Sequence, residues 1–232
     1  MNIEELKAKI DALEAQLKNQ ENKLRMFEDI AAIERLQKAY GYYLEHWMSE
    51  EVIDCFSDAP DVTLKLYEGT YLGKEGLKKY FYHMEDPEFM LQVMQLSGIV
   101  DVAPNGQTAQ GRWYSWGACA SPQGGGVRQY FMNGIYENEY VKEKGKWKIK
   151  KLQYNLNYGA PPAIGWVKPE RVASMDPKSK SFTPEPDLPP DSFDVKYPSG
   201  YIFPFHYKHP VTGKETSEAK SNRSLKNKKA SQ

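Results

Sequence analysis

The sequence predicts an α+β domain in which a conical, curved antiparallel sheet wraps around three helices. Apolar residues recur at helical spacing through the first part of the chain, and from Phe89 onward the pattern becomes typical of β-strands. A Pro104-Asn105-Gly106 turn and a Lys144-Gly145 turn divide that second part into antiparallel strands. Helices followed by a meander of strands are typical of α+β folds.

The composition excludes several classes of protein. The 232 residues carry 31 basic and 31 acidic side chains, which is not the balance of a nucleic-acid-binding surface. No apolar run is long enough to span a membrane, and the first ten residues are too charged for a signal peptide. The two cysteines provide neither a paired metal spacing nor a disulfide framework. We therefore expect a cytoplasmic protein without membrane or nucleic-acid partners.

Residues 1–28 form a predicted coiled-coil segment. Its apolar positions follow the heptad spacing of three and four residues, with one polar interruption: Ile3, Leu6, Ile10, Leu13, Leu17, Gln20, Leu24 and Phe27. A single amphipathic helix packed on its own domain is the alternative, but such a helix usually has a wider apolar stripe. The narrow seam favours a homo-oligomer.

Residues 29–166 form the predicted cone domain. Asp29 is expected to cap a helix over residues 30–47, followed by a short helix over 50–56. A strand over 61–67, a turn bounded by Gly69 and Gly73, and a helix over 73–83 come next. The strands of the meander are then predicted at residues 91–102, 107–120, 127–143 and 146–157.

The C-terminal arm (residues 167–213) is rich in proline and aromatic residues. Its aromatics are too dense for a disordered linker: Phe193, Tyr197, Tyr201, Phe203, Phe205 and Tyr207. We expect the arm to lie on its own domain or on a neighbouring subunit, in addition to sheet contacts between subunits. Residues 214–232 contain six basic and two acidic residues and no aromatic, which predicts a disordered tail.

Three motifs resemble the SnoaL-like branch of the nuclear transport factor 2-like superfamily. They are Ile33-Glu34-Arg35-Leu36 with Tyr40 and Leu44-Glu45, the segment from Asn105 to Trp113, and the segment from Tyr136 to Val141 followed by Gly145 to Ile149. The resemblance implies a deep, mostly apolar pocket inside the cone. It also implies proton-transfer chemistry without a metal or organic cofactor, in which an Asp near the end of the first helix and a His act together.

Several residues can be carried over from this resemblance as candidate catalytic groups. Glu45 occupies the position of the first-helix Asp. The sequence has no His at the start of the strand containing Gln95, so His83 or His46 would have to serve as the partner. Tyr40 and Tyr43 lie one helical turn apart and could orient substrate oxygens or simply pack in the core.

Other polar and aromatic residues are candidates for substrate binding. They are Trp47, Gln95, Arg112, Tyr114, Trp116, Tyr136 and Asn138. Arg112, Tyr114 and Trp116 share one strand face, and the sequence alone leaves open whether that face lines the cavity. Tyr136 and Asn138 are expected to point inward. His206 and His209 have no third ligand nearby, so no metal site is predicted.

These features lead to the hypothesis of a cofactor-independent lyase for a hydrophobic aromatic or polycyclic small molecule. Loss of water is the default reaction. Retro-aldol cleavage with release of formaldehyde, for example from a lignin-derived phenylpropanoid, is the second. An isomerase or cyclase of the same fold, or a non-catalytic ligand-binding or assembly protein, remains an alternative. An open cavity favours an enzyme, whereas a cone filled by aromatic side chains favours the non-catalytic alternative.

Overall fold

The computed structural model describes residues 2–86, 89–123, 126–163, 165, 184–189 and 206. Its elements in chain order are α1 Ile3–Glu45, α2 Ser49–Asp54, β1 Thr63–Leu66, β2 Gly69–Leu72, α3 Gly73–Met84, β3 Met90–Val102, β4 Thr108–Gln123, β5 Gly126–Glu143 and β6 Lys146–Ala160. The predicted α+β class is confirmed. The short strand β2 was not predicted, because its four residues lie between the two glycines interpreted as a turn.

Helix α1 is one continuous helix of 43 residues, about 64 Å long at the usual rise per residue. Asn2 begins it with a capping box, in which its side chain accepts from the Glu5 amide and Glu5 accepts from the Asn2 amide. The prediction that Asp29 caps a second helix is wrong. Asp29 lies within α1, where its buried carboxylate pairs with Lys142 at 2.5 Å and accepts from the Trp147 indole at 2.8 Å.

The six strands form a single curved, open sheet in the order β2-β1-β6-β5-β4-β3. Neighbouring strands are antiparallel except for β1 and β6, which pair in parallel. This parallel pair lets the short β1–β2 hairpin extend the long meander on the side where α3 packs. The three helices cover the concave face and enclose a core of buried apolar side chains, as the cone prediction requires.

Part of the C-terminal arm lies against its own domain. Residues 184–189 run beside β2, where the amide of Thr70 donates to the Leu188 carbonyl at 2.9 Å and the Asp187 amide donates to the Thr70 carbonyl at 2.8 Å. Gly69 adopts a φ of +148°, and a Cβ at that position would collide with Leu188 and Pro186. The arm thus pairs with an exposed sheet edge. The six arm aromatics and the basic tail lie outside the described residues.

The described part of the chain contains no helix that is long and apolar enough to cross a membrane.

Candidate active site

A cavity of about 140 Å³ lies inside the cone, between α1, α3 and the concave face of the sheet. Apolar and aromatic side chains make up most of its wall. The polar groups in the wall include the carboxyl of Glu68 and the hydroxyls of Tyr40, Tyr80, Tyr136 and Tyr154. The cone is therefore open, although aromatic side chains line it throughout.

Glu68 is the acidic residue of this cavity wall. It lies in the tight turn between β1 and β2, and its Oε2 atom is buried without a hydrogen-bond partner. Burial raises the pKa of this carboxyl to about 7, even though the Tyr67 hydroxyl donates toward it and counteracts part of the shift. Glu68 can therefore exchange a proton near neutral pH.

The tyrosines of the cavity are neutral hydrogen-bond donors. Burial raises the pKa of Tyr136 to about 12 and keeps the pKa values of Tyr40, Tyr80 and Tyr154 above the ordinary value for a phenol. Because Tyr80 and Tyr154 also interact electrostatically with Glu68, phenol groups and a carboxyl meet in one small space. Such a group of donors can bind carbonyl, hydroxyl or phenol oxygens of a ligand.

A buried hydrogen-bond network stands behind the wall formed by Tyr40 and Tyr136. Tyr136 packs edge-on against Tyr40 with ring centroids 6.3 Å apart, and hydrogen bonds with Gln95 and Tyr40 partly offset the rise that burial causes in the pKa of its hydroxyl. Gln95 in turn accepts from Gln37 at 2.8 Å, and Gln37 accepts from the Tyr140 hydroxyl at 2.7 Å. Buried polar chains of this kind hold their members in one orientation, because a lost partner would leave a desolvated polar group. The network therefore fixes the direction in which the Tyr136 hydroxyl points.

A second cavity of about 170 Å³ adjoins the first. The two cavities share the wall residues Tyr67, Cys119, Arg128, Tyr130 and Met132. Burial raises the pKa of the Cys119 thiol to about 12, so this sulfur is not a thiolate at neutral pH. The guanidinium of Arg128 lies 5.2 Å from the Tyr130 ring centroid and adds a positive charge to the shared wall.

Trp47 enters the cavity wall through an unusual backbone conformation. Its φ is +50°, which is uncommon for a bulky residue, and it lies two positions after Glu45, the last residue of α1. The indole stacks on Phe89 at 5.0 Å and donates to the Phe89 carbonyl at 2.9 Å. These contacts stabilise the strained backbone conformation of Trp47 and orient its ring toward the cavity.

The structure brings part of the predicted substrate-binding set together. Tyr40, Trp47 and Tyr136 line the cavity. Gln95 and Asn138 lie one layer behind it, where Asn138 donates to Gln37 at 2.9 Å and accepts from the amide of Gln153 at 3.1 Å. Tyr43 is half-buried against the core and does not line the cavity.

The predicted acid and base residues lie outside the cavity. Glu45 accepts from the Val93 amide at 3.1 Å and borders a separate outer groove together with Lys38 and Tyr42. His46 is exposed just beyond the end of α1, and His83 is exposed in the last turn of α3. The structure therefore assembles no Glu–His pair around the cone cavity from these three residues.

Arg112, Tyr114 and Trp116 point to the convex side of the sheet. The opposite face of β4 supplies the residues that enter the core or line the cavity, among them Trp113 and Cys119. Arg112 pairs with Glu137 at 2.6 Å, so its charge is satisfied across the strand pair.

His206 of the C-terminal arm contacts Glu137 and lies 3.2 Å from Asp101, measured from Nε2 to Oδ2. His209 lies outside the described residues. Within the described ranges, no group of three or more His, Cys, Asp or Glu side chains could hold a metal ion.

The sequence of the cone domain matches a known protein family. The family model of the SnoaL-like domain matches residues 25–153, more than half of the chain. The chain belongs to the SnoaL-like domain family. Among curated proteins, none matches this chain.

Solved structures share the fold of this SnoaL-like domain. A scytalone dehydratase-like protein from Novosphingobium aromaticivorans has 19% identity and a TM-score of 0.53, covering 61% of this chain and 91% of that one. The LinA-type3 hexachlorocyclohexane dehydrochlorinase from Novosphingobium barchaimii has 21% identity and a TM-score of 0.51, covering 61% and 94%. At these identities the similarity establishes the common fold.

Sequence reasoning missed Glu68. The residue follows Tyr67 and precedes Gly69, and an acidic residue in such a turn is normally solvated. The one available signal was the position of the turn between two short apolar strands. Its burial depends on the pairing of β1 with β6, which no local pattern reveals.

Proposed function

We propose that this SnoaL-like protein is a cofactor-independent lyase in which Glu68 transfers the proton. The observation that carries the proposal is the buried, unpartnered Oε2 of Glu68 in the wall of an open, largely apolar cavity. A carboxyl with a pKa near 7 has substantial populations of both protonation states at neutral pH, which suits a general acid and base. Perturbed carboxyls in clefts are typical of catalytic sites.

Elimination of water is the reaction that this group supports first. The Glu68 carboxylate takes a proton from a carbon of the substrate, and the electrons of that C–H bond form the new double bond. The hydroxyl on the neighbouring carbon leaves and is protonated by the same carboxyl, so that water is released and Glu68 returns to its starting state. Dehydration is the first reaction to test, since a dehydratase-like protein and a dehydrochlorinase share the fold.

The cavity tyrosines would stabilise the charge that develops on the substrate. Tyr136 is held at the cavity wall by hydrogen bonds with Tyr40 and Gln95, so its hydroxyl is in place before a ligand binds. A donor held in place before reaction lowers the barrier more than a mobile one. A substrate with a carbonyl or phenol oxygen conjugated to the reacting carbon would make use of this donor.

The volumes of the two cavities suit a substrate with one aromatic ring and a second ring or side chain. An engineered cavity of about 150 Å³ accommodates benzene, so the 140 Å³ chamber holds one aromatic ring. The adjoining 170 Å³ chamber has room for a second ring or a side chain. Arg128 in the shared wall would favour an acidic or phenolic group there.

This proposal gives the acid–base role to Glu68 in place of Glu45. The Glu45 carboxylate already accepts from a backbone amide and borders the outer groove rather than the cone cavity. The difference leads directly to a matched pair of variants, Glu68→Gln and Glu45→Gln, which remove one carboxylate each and retain side-chain shape.

The test is turnover of a panel of aromatic alcohols and diols by the wild-type protein and the two variants. New conjugation in the ultraviolet spectrum reports water loss, and a formaldehyde assay reports retro-aldol cleavage. We expect Glu68→Gln to lower kcat by about 10²–10⁴-fold, and Glu45→Gln to retain wild-type activity. The opposite pattern would return the role to Glu45. Ligands that bind with no turnover in any protein would favour the non-catalytic alternative.

A further inference from the structure

The first 26 residues of α1 project from the cone with an uncovered apolar stripe. Every residue from Asn2 to Glu28 is exposed, and the helix first becomes buried at Asp29. The large apolar side chains of this segment are 43–84% exposed at the seam positions Ile3, Leu6, Ile10, Leu13, Leu17, Leu24 and Phe27. A helix with one apolar stripe and an otherwise polar surface is rarely stable alone in water. The stripe therefore needs an occupant.

We propose that the occupant is the same segment of a second copy, in a parallel, in-register, two-stranded coiled coil. The core composition of the first two heptads fits two strands, whereas the next two heptads have Leu at a and Gln20 and Phe27 at d. Ile3 and Ile10 fill the first two a positions, and Leu6 and Leu13 fill the first two d positions. β-Branched residues at a with leucine at d favour dimers over trimers and tetramers.

The charges beside the seam select the parallel orientation. In a parallel dimer each g residue meets the e residue five positions later on the other chain. This brings Lys9 opposite Glu14 and Lys23 opposite Glu28, and two-fold symmetry doubles both pairs. All four contacts are attractive. The remaining e and g contacts of this arrangement involve an uncharged Asn or Gln, so no contact is repulsive.

An antiparallel arrangement of the same seam is less favourable. When the a and d positions of the two chains pair along the whole segment, Lys9 of each chain lies opposite Lys23 of the other, and the two copies of Glu14 lie opposite each other. Only the contacts between Lys7 and Glu21 are attractive. Like charges at these positions are destabilising by amounts similar to the gain from opposite charges. The parallel dimer is thus favoured on every flanking contact except those of Lys7 and Glu21.

The continuity of α1 extends this inference to the catalytic domains. The helix passes through Phe27 and Asp29 without a break and contributes Tyr40 and Leu44 to the cavity wall. A parallel coiled coil therefore places both cones at the same end of the assembly, related by a two-fold axis along the coiled coil. This arrangement does not depend on the reaction that the cones perform.

Disulfide trapping in the full-length protein tests orientation and register together. Gln20 occupies a d position, so a Gln20→Cys variant faces its own copy across a parallel, in-register dimer. In the antiparallel alignment Gln20 faces Ile10 instead. We expect Gln20→Cys to form a covalent dimer under mild oxidation, while the control Ala15→Cys, on the outer f position, does not. The parallel arrangement would be overturned if a mixture of the Ile10→Cys and Gln20→Cys proteins formed a disulfide between the two variants while the Gln20→Cys protein alone formed none.

Sedimentation equilibrium of a charge variant tests the energetic argument. Lys9→Glu with Lys23→Glu turns all four attractive contacts repulsive, which we expect to weaken dimerisation by on the order of a hundredfold. In an antiparallel dimer the same change replaces one repulsion with another and leaves affinity nearly unaltered. A Gln20→Cys protein that forms no covalent dimer, together with wild-type protein that shows no dimer mass, would refute the coiled coil altogether.

Discussion

Glu68→Gln should make the protein more stable at alkaline pH while removing the proposed catalytic group. The folded state raises the pKa of Glu68 from 4.5 to about 7 through burial. Between these values the folded protein holds a proton that the unfolded chain has lost. The stability contributed by this proton is fully present below the unfolded pKa and is lost as pH rises through the folded pKa.

The size of the effect follows from the shift. Because the pKa of Glu68 is about 2.5 higher in the folded state, raising the pH lowers the unfolding free energy. The loss is about 3 kcal/mol at about pH 8 and only about 1 kcal/mol at about pH 5. Glutamine has nearly the same shape and never carries the buried charge. Its advantage over glutamate should therefore grow by about 2 kcal/mol across this range, a shift in Tm of roughly 4–8 °C for a domain of this size.

Thermal unfolding of the wild-type and Glu68→Gln proteins at the two pH values measures this pH-dependent difference in stability directly and needs no substrate. Glu45→Gln is the matched control, because the Glu45 carboxylate is hydrogen-bonded to the Val93 amide and borders the outer groove. The control should show no gain in Tm with pH. A Glu68→Gln protein whose Tm difference from wild type is the same at both pH values would refute the assignment of a buried, high-pKa carboxyl.

Three further predictions concern the shell around the site. Lys142→Met should destabilise the protein by about 3 kcal/mol in urea unfolding, since it removes the cation paired with buried Asp29; an unchanged midpoint would contradict a structural role for the pair. Asp187→Ala removes the acceptor of the Leu72 amide at 2.7 Å, so hydrogen exchange at Leu72 should accelerate by about fivefold, and unchanged exchange would mean that the arm does not depend on it. Tyr136→Phe should weaken binding of phenols by roughly tenfold in calorimetry and spare benzene; equal loss for both would indicate a packing defect instead.

The long elements of the fold were predictable because the polarity of their side chains follows a regular pattern along the chain. In strand β5, Tyr136, Asn138 and Tyr140 alternate with Glu137 and Glu139, and the strand ends at a Lys144-Gly145 turn, so its end and its inward face follow from local sequence. Strand β2 has four residues and forms only because β1 and the arm segment at Leu188 pair with it. Asp29 had the residue type of a helix cap, but its partners Lys142 and Trp147 are more than a hundred positions away.

The candidate site was predictable only in part, for the same reason. Tyr40 and Tyr136 lie on apolar faces of regular elements, and those faces must point into the core. Arg112 lies on a strand with aromatics on both faces, so periodicity left its direction open until the sheet curvature placed Trp113 inside. Glu45 matched the position of the family's acidic residue, yet the packing of α1 against β3 directs it to a strand amide.

The sequence by itself determined the class of fold and the exposed heptad seam, because these depend on repeating patterns of side-chain polarity along single elements, and three short motifs indicated the family. Only the tertiary structure decided which carboxyl lies in the cavity. The pKa of Glu68 is set by desolvation, and desolvation arises from residues of α3, β5 and β6 that meet around one turn of the chain. No local pattern around Glu68 encodes that meeting, whereas the fold imposes it.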